Sequence, residues 1–132
     1  MHPFDVAVCD AGHPFTRGIA PFTVRDELHL SEYRPPLTPL LQTRFTGTFG
    51  GSYRDRDWPT DDPRLVAYHK PWGVDGGVLY YTLGHCHGRW DLRPVVDDAG
   101  QVERGAWTLD VHTELLRRGL RWAARIDDWG NS

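Results

Sequence analysis

The chain has 132 residues, 39% of them hydrophobic and 25% charged, with a net charge of −3 when its histidines are neutral. That length fits one domain with a core of its own, and the composition is that of a folded protein, neither disordered nor collagen-like. Acidic and basic residues are interspersed, so no basic block offers itself to nucleic acid, and no apolar run approaches the length of a membrane span.

The opening Met1-His2-Pro3-Phe4-Asp5 lacks the basic and apolar regions of a signal peptide. Cys9 and Cys86 are the only cysteines and make no disulfide framework. A reducing, cytoplasmic setting is therefore expected.

In chain order, Asp5 to Asp10 reads as a short strand. Val6 and Val8 point one way and Ala7 and Cys9 the other, the pattern of a strand covered on both faces. Gly12-His13-Pro14 opens a turn and Thr16-Arg17-Gly18 closes it. Phe22 to Tyr33 alternates like a half-buried strand, with Leu28 and Leu30 on one side and Glu27 and His29 on the other. The prolines of Arg34 to Pro39 exclude a central strand or helix there, and Leu40 to Phe45 reads as the next strand. Gly47 to Pro63 reads as a long surface loop.

Arg64 to His69 and Gly77 to Leu83 form a hairpin around Pro71-Trp72-Gly73 and Asp75-Gly76. Gly84 to Arg93 is a loop with two histidines, and Asp98-Ala99-Gly100 is a turn. A helix is expected from Leu109 to Ala124, packing through a stripe of Val111, Leu115, Leu116, Leu120 and Ala123. One helix is too little to cover both faces of a parallel sheet. An absent upstream segment, or a homo-oligomer that supplies the cover, would account for that.

Three ordered stretches carry a family resemblance. They are His13-Pro14-Phe15-Thr16-Arg17-Gly18-Ile19 with Asp26-Glu27-Leu28, then Gly76 to His85, then Leu115 to Ala124. Together they resemble the C-terminal portion of the ThuA-like (trehalose-utilisation) domain family. His29 and Gly77 depart from the family pattern, which has Tyr and Arg there. The resemblance implies residues 1–132 as the C-terminal part of a single α/β domain. Its fold would be the class I glutamine amidotransferase-like, flavodoxin-like sandwich, truncated at its N-terminus. It also implies binding or transformation of a sugar in the catabolism of trehalose or a related disaccharide. The alternatives are a non-catalytic binding or interaction module, or an inactive domain fragment.

His85-Cys86-His87 is the sharpest local feature. In an extended loop His85 and His87 share one side, and two imidazoles so placed can hold a divalent metal such as zinc, with Asp91, Glu27 or His69 as third ligand. The competing reading has His85 shaping the loop and His87 in solvent. His85 follows a strand and suits acid/base work, with Glu27 as its carboxylate partner. Asp26 and His29 flank Glu27 as substrate-binding candidates, with an ion-paired or capping role as the alternative. Trp72 and Trp90, like Trp58, could stack on sugar faces or cap the core beneath loops. Cys86 has no nucleophile elbow before it, and Cys9 reads as a core residue.

Overall fold

The computed structural model describes residues 1–29, 31–44, 47–49, 56–58, 62–74, 76–87, 103–127 and 129. Strands β1 (His2–Val8), β2 (Phe22–Asp26), β3 (Thr38–Arg44), β6 (Pro63–Trp72) and β7 (Gly76–Tyr81) make one five-stranded sheet in the order β2-β1-β3-β6-β7. β4 (Gly47–Phe49) and β5 (Arg56–Trp58) form a separate two-stranded ribbon within the stretch expected to be loop. A short 3-10 helix (Gly105–Thr108) leads into α1 (Asp110–Ala123).

Every strand pairing among the described residues is antiparallel. This overturns the expected α/β flavodoxin-like sandwich, which requires a parallel sheet with helices on both faces. The difference begins in β1. Val6 is buried, while Ala7 and Cys9 are exposed. Small apolar residues on the outer face looked like a second buried side. An antiparallel sheet can leave one face to water, so a single helix does not call for a further layer.

The sheet buries Val6, Val24, Leu40, Leu41, Val66 and Ala67. Leu40 and Leu41 are both buried although they are neighbours, because the register shifts on either side of Leu41. Pro39 enters β3 just ahead of that irregularity, a position where a missing N–H is tolerated. Three tyrosines cover part of the sheet around β6. Tyr68 and Tyr80 lie directly opposite and stack at 4.9 Å, and Tyr33 meets Tyr68 edge-on at 6.0 Å. The Tyr33 hydroxyl also donates to the Leu65 carbonyl at 3.0 Å and accepts from the Leu65 amide at 3.1 Å.

The helix has the expected span and a different inner face. Leu115 is fully buried and His112 beside it likewise, whereas Leu120 is 69% exposed and Ala123 is exposed. The stripe expected through Val111, Leu115, Leu116, Leu120 and Ala123 therefore holds at Val111 and Leu115, which pack on the core, and fails at Leu120 and Ala123. The inward residues are His112, Leu115, Gly119 and Trp122, spaced by the helical period. A Cβ on Gly119 would stand 2.9 Å from Leu79 Cδ2, so the helix lies close against β7 there. Arg118 fastens the loop before β2 to the helix by donating to the carbonyls of Phe15 at 3.0 Å and Arg17 at 2.8 Å. No helix among the described residues is long and apolar enough to cross a membrane.

Candidate functional site

Asp26 closes β2 on its inward side, in line with Phe22 and Val24, and is 1% exposed. A buried carboxylate needs donors, and Asp26 has five. Oδ1 accepts from the Glu27 amide at 2.7 Å, the His85 amide at 3.3 Å and His85 Nδ1 at 2.8 Å. Oδ2 accepts from the amides of Gly84 at 2.9 Å and Ala106 at 3.4 Å. One side chain thus ties together the end of β2, the loop after β7 and the 3-10 helix. Burial pushes its carboxyl up, but the Gly84 and Glu27 amides and His85 outweigh that and hold it below the ordinary carboxylate value.

Two glycines make this junction possible. Gly84 has φ +118°, and Gly105 has φ +52°. A Cβ on Gly105 would lie 2.9 Å from both the Arg25 and His85 carbonyl oxygens. Gly105→Ala is accordingly expected to cost at least about 1–3 kcal/mol from backbone strain alone. Thermal unfolding measures it, and a midpoint equal to that of the unmodified chain would contradict the placement.

Beyond Asp26 the chain turns outward. Glu27 Oε1 meets His87 Nε2 at 2.5 Å, and Oε2 lies 3.4 Å from His29 Nε2. His29 stacks on His85 with ring centroids 4.4 Å apart at 17°. Donor atoms of Glu27, His29 and His85 all lie within 4.8 Å of one another. A tetrahedral zinc ion with bonds of about 2.0–2.1 Å holds its ligands about 3.3–3.4 Å apart. The Glu27–His29 pair already has that spacing. Burial raises the Glu27 carboxyl, and the His87 hydrogen bond with the neighbouring imidazoles brings it below its ordinary value.

The outer partners are equally specific. Asp26 takes His85 Nδ1, which leaves Nε2 as the free coordinating atom. His87 donates to one oxygen of Glu27 and leaves the other facing His29. The second nitrogen of His87, Nδ1, is buried without a hydrogen-bond partner among the described residues. Arg25 and Glu103, 2.6 Å apart, close the flank where His87 bridges to Glu103.

The structure thus brings together Asp26, Glu27, His29, His85 and His87. It separates others. His69 packs against His13, Trp122 and Trp129 and is not the third ligand. Trp72, 71% exposed, sits at the tip of the β6–β7 hairpin, the opposite end of β7 from His85. Trp90 and Asp91 lie outside the described residues, as do Arg93 and the turn at 98–100. The side chains of Asp57 and Trp58 are likewise outside them. Cys86 is exposed between the two histidines.

Sequence reasoning missed His112 and Tyr81, which lie behind the site. The Tyr81 hydroxyl is 2.9 Å from His112 Nδ1, and the Trp107 indole donates to the Gly84 carbonyl at 2.8 Å. Burial lowers the His112 imidazole, with Asp26 opposing, and raises the Tyr81 phenol. The signal was the polar His112 in phase with Leu115 on the helix. No protein-family model, curated protein or solved structure matches the chain.

Proposed function

We propose that this protein binds a zinc-type divalent cation through Glu27, His29 and His85. The observation that carries the reading is the convergence of those three donors within 4.8 Å. Support comes from the two outer pairs. An imidazole ligand whose other nitrogen donates to a carboxylate is the common second-layer arrangement at zinc, and Asp26 stands in that relation to His85. Two nitrogens and one oxygen suit zinc better than calcium or magnesium. Three protein donors leave a fourth position open, as in sites where the metal activates water or polarises a bound oxygen.

The sugar chemistry implied by the family resemblance has less behind it. The antiparallel sheet removes the fold on which that inference rested, and Trp72 stands apart from the histidine cluster. Metal-free protein titrated with zinc in a calorimeter is expected to take up about one equivalent. His29→Ala and His85→Ala should each weaken uptake at least about tenfold, and Asp26→Asn should weaken it about 10–100-fold. Uptake that both alanine variants leave unchanged would exclude this site.

A further inference from the structure

The turn around His13 plays no part in the metal cluster, yet it is built around that imidazole. Asp10 accepts from the amides of Gly12 at 2.8 Å and His13 at 3.2 Å, and the Thr16 hydroxyl donates to the Asp10 carbonyl. His13 Nδ1 in turn accepts the Phe15 amide at 3.1 Å. An N–H aimed at Nδ1 leaves no place there for a proton, so His13 is held in its neutral form. Phe15, the residue so fixed, is 1% exposed in the core.

The His13 ring belongs to an aromatic cluster that holds down Trp129. It meets Trp129 edge-on at 5.2 Å and His69 at 5.7 Å. His69 meets Trp122 edge-on at 5.3 Å, and Trp122 stacks on Trp129 at 4.9 Å. Both imidazoles are 7% exposed and Trp129 is 9% exposed. Gly77 beneath them has no side chain, and a Cβ there would stand 2.7 Å from His69 Nε2.

The charged groups on the surrounding elements are committed elsewhere. Asp10 already accepts two amides. From α1, Arg118 binds Glu114 and the carbonyls of Phe15 and Arg17, and Arg121 binds Asp127. Arg17 reaches the Gly12 carbonyl. From β6, Lys70 donates to the Arg34 carbonyl, and from β7, Tyr81 bonds to His112. Among the described residues no carboxylate pairs with either imidazole to welcome a second proton.

We propose that His13 and His69 form a proton-sensitive latch that seats Trp129 at neutral pH and releases it in mild acid. A proton arriving at His13 Nδ1 displaces the Phe15 amide bond, and a second proton taken up by His69 sets two cationic rings side by side against Trp129. Burial lowers both imidazoles; for His13, the nearby His69 lowers it further and Asp10 opposes. The seated state binds fewer protons than the released one. Its stability is complete above the ordinary histidine value of about 6.5 and is lost as pH falls below it.

Tryptophan emission and far-UV circular dichroism, followed together through an acid titration, test the latch. A red shift centred between about pH 5 and 6.5 with an unchanged sheet signal is expected. His13→Asn/His69→Gln should abolish it, since Asn keeps an acceptor for the Phe15 amide and neither residue titrates. His112 remains in that double variant and controls for general acid loosening. Should the double variant not fold, NMR titration of the two imidazoles in the unmodified chain replaces it, and they must protonate together with the emission change. Flat emission down to about pH 5, a shift that occurs only with loss of the sheet, a shift that survives in the double variant, or imidazoles that titrate apart from it would each overturn the latch.

Discussion

Asp26→Ala is expected to destabilise the fold by about 3–5 kcal/mol, because it removes the acceptor shared by five donors at a buried junction. The carboxylate accepts four backbone amides and the His85 imidazole, and it is 1% exposed. Each buried donor left without an acceptor costs about 1–3 kcal/mol. Water entering beside the half-buried His85 recovers some of that, so the simple sum is an upper bound. Asp26→Asn keeps the shape and one acceptor but turns an NH2 group toward donors, so it should fall between. Urea unfolding of the three chains gives the order, with unchanged slopes marking a change in stability alone. An alanine variant within about 0.5 kcal/mol of the unmodified chain would mean that Asp26 does not join the three segments.

The second large effect lies on the helix. Leu115→Ala should cost about 2–5 kcal/mol, because Leu115 is fully buried against the sheet. Leu120→Ala should stay within about 0.5 kcal/mol, because Leu120 is 69% exposed. The pair decides the rotation of α1, since the periodicity of apolar residues alone favoured the opposite outcome for Leu120. Equal losses for both variants would restore the orientation that the structure replaces.

What could be read from the sequence followed from local rules. The span of α1 and the β6–β7 hairpin rest on neighbours a few residues apart and are present in the structure with modest changes of boundary. The stretch Phe22 to Tyr33, by contrast, is a strand only over Phe22–Asp26, so that Glu27, Leu28 and His29, on which its alternation was read, lie beyond the strand. Strand direction was not legible in this way. Ala7 and Cys9 are apolar by type but exposed, and Leu120 is apolar but outward, while His112 and Asp26 are polar and buried. Burial of such residues depends on partners remote in sequence. Asp26 is satisfied by amides 58 and 80 residues away. The histidines were visible as candidates because of their chemistry. That His29 rather than His87 stands beside Glu27 and His85 as the third donor depends on how the chain leaves β2, which no spacing rule gives.

X-ray absorption at the zinc edge of the loaded chain tests the metal centre most directly. Glu27, His29 and His85 predict about one tightly held ion in a four-coordinate shell of nitrogen and oxygen at about 2.0–2.1 Å, with imidazole scattering and no sulfur. A sulfur neighbour at about 2.3 Å would place the ion on Cys86 or Cys9 instead. A shell of oxygen alone, without imidazole, would contradict the centre altogether.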